Sequence, residues 1–218
     1  MKRTFIIGSE WLYYKIYSGP KTADRVLTEV IKPVTEILLD ENIIDSWFFI
    51  RYADPKQHIR VRFHHKESHL QIRTIQLIHE LLMPFIDTGM IWKVLTDTYN
   101  REIERYGKSL IEPTEQFLFF YDSMMVVNIL DQIEGDEGEK LRWMIGLRAV
   151  NEMLEIFRFN DIEKSNFIQK LRDGFGEEFG MNKDLKSQLS DKYRNEKKSI
   201  ESIMDKNNDT NSEYAPLI

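Results

Sequence analysis

Trp47 to Phe63 reads WFFIRYADPKQHIRVRF, and the folding of this stretch decides the architecture around it. In its second half His58, Arg60, Arg62 and His64 alternate with Ile59, Val61, Phe63 and His65, the two-residue period of a strand with one wet and one dry face. Trp47 to Tyr52 is aromatic and β-branched enough to be the partner strand, and Ala53-Asp54-Pro55-Lys56-Gln57 has the turn chemistry to join the two. The resulting hairpin carries two arginines side by side. Neighbouring guanidiniums repel, so the pair asks for an anion, either a carboxylate from elsewhere in the fold or a ligand bearing carboxylate or phosphate. A solvated face on which long basic side chains cover apolar surface is the competing reading. Arg51 lies in the same hairpin, on a face set by a register that the pattern leaves open.

Working outward, Leu12 to Tyr17 read as a short strand with Leu12, Tyr14 and Ile16 on one side and Tyr13, Lys15 and Tyr17 on the other. Gly19-Pro20 breaks it. Thr22 or Asp24 then caps a helix carrying Val26, Leu27, Val30, Ile31, Val34, Ile37 and Leu38, bent at Pro33 because proline removes an amide donor and crowds the preceding turn. After the hairpin, Leu70, Ile72, Ile75, Leu77, Ile78, Leu81 and Leu82 predict a second helix ending near Met83-Pro84. Gly89 leads into a fourth strand, Ile91 to Thr98. The order β-α-β-β-α-β predicts an α+β fold with a ferredoxin-like antiparallel sheet covered by two helices. In that arrangement the first and third strands are central, the fourth lies beside the first and the second beside the third.

From Glu112 the period is helical. Pro113 and Thr114 suit a helix start, and Phe117, Leu118, Phe120, Tyr121, Met124, Met125, Val127 and Leu130 supply more than one apolar stripe, which predicts a largely buried helix. Gly135-Asp136-Glu137-Gly138 closes it. Further helices are expected over Glu139 to Phe159, Asp161 to Phe175 and Asn182 to Asp205, the last highly charged and dependent on docking. The expected organisation is a sheet region over residues 1–108, a helical region over 109–205 packed on it as one domain, and a disordered tail over 206–218 that contains the sequon Asn208-Asp209-Thr210.

Composition narrows the function classes. With 218 residues, 42% hydrophobic and 12% aromatic, the chain has ample material for a core. No apolar run approaches bilayer length and the start, MKRTFIIGSEW, is too short in apolar residues for a secretory signal, so a cytoplasmic protein with no membrane span is expected. The absence of cysteine removes disulfides, thiolate zinc sites and cysteine nucleophiles together. All five histidines lie between His58 and His79. His64, His65, His69 and Glu67 imitate a metal cluster, but strand alternation sends His64 and His65 to opposite faces, so no metal site is expected. A net charge of −6 without a long basic tract disfavours nucleic-acid binding.

A second concentration of charge and aromatics is WKVLTDTYNREIERYG, Trp92 to Gly107. Asp97, Arg101, Glu102, Glu104 and Arg105 lie just past the fourth strand, and local ion pairs on a helical turn, each worth about 0.3–0.5 kcal/mol, are the plain account of them. Together, the opening WLYYKIYSG (Trp11 to Gly19), the hairpin, the segment DTYNREIERYG and Phe120-Tyr121-Asp122-Ser123 resemble the C-terminal domain of class I lantibiotic dehydratases, a family that includes stand-alone thiopeptide-type bacteriocin biosynthesis proteins. The resemblance covers about residues 5 to 125.

It implies elimination of glutamate from glutamylated Ser or Thr of a ribosomally made precursor peptide, giving dehydroalanine or dehydrobutyrine without metal or organic cofactor. Glutamylation would belong to a separate dehydratase subunit. Arg60 and Arg62 match the family's paired strand arginines and would hold the glutamyl group; Arg101 matches the arginine of its TYxRE segment and would meet the leaving carboxylate or the enolate. Around these catalytic arginines, Arg51, His58, His64 and Arg105 are candidate substrate-binding residues. The sequence departs from the family in two places. Gly107 is followed by Lys108 where members carry a glycine pair, and no histidine follows His79 although members end in a helix with a histidine thought to act as acid or base. His58 and His64 are the local substitutes. Two further readings stand beside elimination: a formal cycloaddition between dehydroalanines, as in thiopeptide relatives, and a non-catalytic subunit that holds the precursor, with a sheet edge open to strand addition.

Overall fold

The computed structural model describes residues 1–133 and 135–207. Strands β1 (Thr4–Phe5), β2 (Trp11–Ser18), β3 (Ile44–Tyr52), β4 (His58–His65), β5 (Ile91–Thr96) and β6 (Tyr99–Asn100) lie in its first compact unit, Met1–Gln132. Four of them form one sheet in the order β3-β4-β2-β5, every neighbour antiparallel. β2 and β4 are therefore central, with β5 beside β2 and β3 beside β4. The protein is an α+β fold. β1 and β6 add a separate two-stranded ribbon that the hydrophobic pattern did not announce, and β5 stops at Thr96, two residues short of the expected Thr98.

Alternation in β4 divides the chemistry between the two faces. Ile59, Val61 and Phe63 are wholly buried and pack with Leu12, Tyr14, Ile16 and Trp47 against the helices. These begin with α1 (Pro20–Val26), which passes through a π turn at Leu27–Ile31 into α2 (Lys32–Asp40). The start lies at Pro20, earlier than Thr22, because a first-turn proline sacrifices an amide that has no helical partner anyway. Pro33 follows the widened turn directly, so its missing donor falls where the regular ladder is already interrupted. α3 (Gln71–Asp87) runs through Pro84 instead of ending there. Phe85, just beyond the proline, is 5% exposed, and burying such a side chain is worth about 1.5–3 kcal/mol, the same order as the proline penalty. Thr88 closes the helix by donating its amide and hydroxyl to the Pro84 carbonyl, at 3.3 and 2.8 Å.

Beyond β6 come the short α4 (Ile103–Tyr106) and α5 (Ile111–Pro113), then a π turn at Thr114–Phe119 that continues into α6 (Phe120–Gln132). This segment follows the outer edge of β3. The Phe49 amide donates to the Ser123 hydroxyl at 3.2 Å, giving an edge-strand donor its partner. Phe120, Met124 and Val127 join the helix-side core while Phe119 reaches the other face of the sheet. A helix laid along an edge buries only its inner stripe, so Phe117, Leu118, Tyr121 and Met125 are exposed where a largely buried helix was expected.

The second unit, Ile133–Ile218, holds α7 (Gly135–Ile156), α8 (Asp161–Glu178) and α9 (Lys183–Met204). Gly135 to Gly138 open α7 where the pattern placed the end of the preceding helix. Asn160 and Glu163 form a reciprocal capping box at the start of α8, and the Asn182 side chain caps α9. Arg148 of α7 is buried, bonded to Glu152 at 2.8 Å and to the Ile203 carbonyl at 2.6 Å. Lys206, expected in the tail, pairs with Glu152 and Glu155; residues 208–218, with the Asn208 sequon, lie outside the described residues.

One buried group ties this fold to pH. His65 is fully buried on the helix-side face of β4, with Nε2 2.7 Å from the Thr74 hydroxyl, and burial pushes its pKa down to about 4. An unfolded histidine titrates near 6.5, so between these values the unfolded chain binds the extra proton. Stability from neutral His65 is complete above pH 6.5 and is lost as pH falls to 4, by about 3 kcal/mol in all. Urea denaturation across this range should show that loss, and His65→Gln should flatten it.

Candidate active site on the second sheet face

Register decides which residues share the face opposite the helices. Beside His58, Arg60, Arg62 and His64 it sets Tyr17, Lys15, Tyr13 and Trp11 from β2, and Tyr52, Ile50, Phe48 and Ser46 from β3. Near one end, Trp11, Tyr13 and Phe48 are covered by Phe5 and Tyr99 of the ribbon and by Phe119, forming a second small core. Toward the other end Ile50, Tyr52 and Leu95 are exposed.

Arg62 sits inside that small core. Its guanidinium carbon lies 4.4 Å from the Tyr13 ring centre, 4.7 Å from Tyr99 and 4.9 Å from Phe48. Burial pushes its pKa down, opposed by Tyr13 and Tyr99, while Arg60 adds to the depression and Glu102 opposes it. Cation–π contacts offset part of the desolvation, yet Nε and Nη1 are buried without a hydrogen-bond partner among the described residues. Such donors each cost about 1–3 kcal/mol while unpaired. An incoming carboxylate would satisfy both charge and donors.

Arg60 lies next to it on the same face, stacked 3.6 Å from the Tyr52 ring centre. Its Nε–H donates to His58 Nε2 at 3.0 Å, and His58 Nδ1 lies 2.8 Å from the Lys56 carbonyl, which fixes the Nδ1–H tautomer. His58 is held between Tyr17 and Tyr52, with ring centres at 4.7 and 5.7 Å. Both its nitrogens are committed, so it props Arg60. Among the described residues neither Arg60 nor Arg62 has a carboxylate at ion-pair distance. Lys15, beside Arg60, is paired with Asp97; the bond raises the lysine pKa and lowers that of the acid.

Arg101 meets its anion within the protein. Its Nε and Nη2 grip Glu115 at 2.9 and 2.7 Å, Nη1 donates to Glu112 at 2.9 Å and to the Lys2 carbonyl at 3.1 Å, and Glu115 is completely buried. The Tyr99 hydroxyl donates to the same carboxylate, and burial with the Glu115 charge drives the Tyr99 pKa far up. Tyr99 thus links the two arginines, its ring against Arg62 and its hydroxyl on the carboxylate that holds Arg101.

Two expected binders stand elsewhere. Arg51 projects from the helix-side face and pairs with Asp24 of α1 at 2.5 Å, because it opposes Ile59 in the register, so it is not part of this constellation. Arg105 is on α4, its side chain 72% exposed, 3.5 Å from Glu102 in an ordinary helical-turn pair. His64 remains on the site face, its Nδ1 2.7 Å from Asp45. Sequence reasoning missed Tyr13 and Lys15, although the alternation of β2 had put them together, and missed Tyr99 and Glu115, for which no local pattern signals burial. Among the described residues no group of three His, Asp or Glu side chains could hold a metal ion.

The result is an α+β protein with a charged, aromatic sheet face on which, among the described residues, two arginines have no carboxylate at ion-pair distance. The family model described as the C-terminal domain of lantibiotic biosynthesis dehydratases matches residues 11–218, and the chain belongs to that family. It is 29% identical over 179 residues to the subtilin biosynthesis protein SpaB of Bacillus subtilis, across 81% of this chain and 17% of that protein. The chain therefore spans only a small part of that relative's length. Among solved structures it resembles the tRNA-dependent lantibiotic dehydratase MibB from Microbispora sp. 107891, with 31% identity and a TM-score of 0.51 over 56% of this chain and 12% of that one. It also shares the fold of TsrL, with 14% identity and a TM-score of 0.66 over 96% of this chain and 63% of that one.

Removing one partner of the buried pair should be costly in itself. Arg101→Ala leaves the Glu115 carboxylate without its cation and should lower stability by about 3–5 kcal/mol in urea titrations, whereas Arg101→Met combined with Glu115→Leu should recover most of that loss.

Proposed function

We propose that this chain eliminates glutamate from glutamylated Ser or Thr of a ribosomally made precursor peptide. The observation that carries the reading is Arg62, a buried guanidinium with two unpartnered donors beside a second arginine that also lacks a carboxylate. An O-glutamyl ester carries one free carboxylate, which serves as a handle, and its ester carboxyl becomes a second carboxylate as it leaves. Arg62 and Arg60 take these roles, fixing the ester and stabilising negative charge as the leaving group departs. Arg101, with Nε and Nη1 committed to protein acceptors, works as a positioning residue that holds Tyr99 against Arg62 through Glu115. The partners on this reading are the precursor peptide and a separate glutamylating subunit, in a cytoplasmic setting. No described helix is long and apolar enough to cross a membrane.

Incubating a glutamylated precursor peptide with the protein should convert it to the dehydro product, read by mass spectrometry. Arg62→Ala should reduce the rate by about 100-fold or more, and Arg62→Lys should not restore it because a point charge cannot replace the planar fork. Bound but unchanged glutamylated peptide would support the accessory reading, and ring formation from a peptide with preformed dehydroalanines would support cycloaddition.

A further inference from the structure

Resting on the elimination reading, we propose that His64 takes the Cα proton of the glutamylated residue and that Asp45 orients it for that task. Asp45 is the extra residue of a β-bulge. Ile44 pairs with His65 and Ser46 with His64, leaving Asp45 without a partner on β4. Bulges re-aim side chains, and here the carboxylate turns onto the site face. Its Oδ1 lies 2.7 Å from His64 Nδ1 and accepts the Ser46 hydroxyl at 2.9 Å. Burial raises the Asp45 pKa, but these hydrogen bonds and the charges of His64 and Lys66 outweigh it and hold the carboxyl below its usual value. A carboxylate on Nδ1–H fixes the tautomer and leaves the Nε2 lone pair as acceptor. The Trp11 ring, 4.8 Å from the imidazole, walls the other side.

The placement suits the reaction. His64 and Arg62 are two residues apart on one face, about 7 Å along the strand, a span suited to a glutamyl group held at Arg62 with its ester carbon chain reaching toward the imidazole. The other histidines lack this combination. Both nitrogens of His58 are engaged, His65 is buried on the opposite face, His69 pairs with Glu67 in an exposed turn, and His79 is exposed on α3. In the proposed step Nε2 accepts the proton from Cα, the C–H electron pair becomes the Cα=Cβ bond, and the Cβ–O bond breaks with its pair leaving on the glutamate carboxylate. The imidazolium then returns its proton to water. Asp45 from β3 contacts His64, Glu10 ahead of β2 feels the charge of His64, and Lys66 just past β4 acts on Asp45.

The test uses the full chain and a synthetic peptide carrying one O-glutamyl serine, with thermal melts to confirm that each variant folds. His64→Ala should lower kcat by about 100-fold or more with KM little changed, and added imidazole should restore part of the rate. Near-isosteric Asp45→Asn should lower kcat with KM little changed, since the amide can turn its own N–H toward His64 Nδ1 and no longer holds the Nδ1–H tautomer. A His64→Ala rate within about threefold of wild type overturns the assignment and leaves elimination standing. A loss that imidazole does not restore, with an Asp45→Asn kcat within about threefold of wild type, also overturns it. If the wild-type protein leaves the ester intact, the elimination reading falls and the assignment with it.

Discussion

Glu115 is a carboxylate with no exposure to water, and the site face is organised around making that tolerable. The desolvation of such a group amounts to several kcal/mol and is offset only by good geometry on every lone pair. Arg101 supplies a two-nitrogen grip and Tyr99 a hydroxyl. Satisfying Glu115 therefore joins two pieces of chain: the π turn that carries it, and β6 with the Arg101 that follows it. Since Arg101 also bonds the Lys2 carbonyl, the N-terminal segment is drawn in as well. The aromatic walls around Arg62 stand where they do because this cluster closes over them.

The contrast between Arg101 and Arg62 is then instructive. Both are buried arginines near aromatic rings, yet among the described residues one has carboxylate partners and the other has none. A fold that needed Arg62 only for packing would gain by pairing it or by replacing it with an apolar residue of similar volume. Its unpaired donors are the kind of cost that proteins retain at ligand sites.

The four-stranded α+β core was readable in the sequence because its signals are local. A two-residue period, a Gly-Pro break and a 3.6-residue apolar repeat each depend on neighbours only, and they located β2, β3, β4, β5 and the two helices on the sheet. Boundaries failed where tertiary burial overrode a local rule, as when Phe85 carried α3 past Pro84. The pairing of Arg60 with Arg62 on one face was legible for the same reason. The face of Arg51, the bulge at Asp45 and the burial of Glu115 were not, since each depends on register or on tertiary pairing that no local period signals. The exposed stripe of Phe117, Leu118 and Tyr121 was misread because apolar content says how much a helix could bury, not which side finds a partner.

The strict alternation of β4 has a consequence for how this protein can change over time. Even-numbered positions from 58 to 64 line the arginine face with its small aromatic core, and odd-numbered ones from 59 to 65 face the helix-side core, so the two sets stay on opposite faces while the strand keeps its length. Substitution at every second position can remodel the arginine face without replacing a residue of the helix-side core. Insertion or deletion of one residue, in contrast, would exchange the sets and lose both at once. Diversification of this strand is thus confined to substitution, and its length is the one variable that is not free.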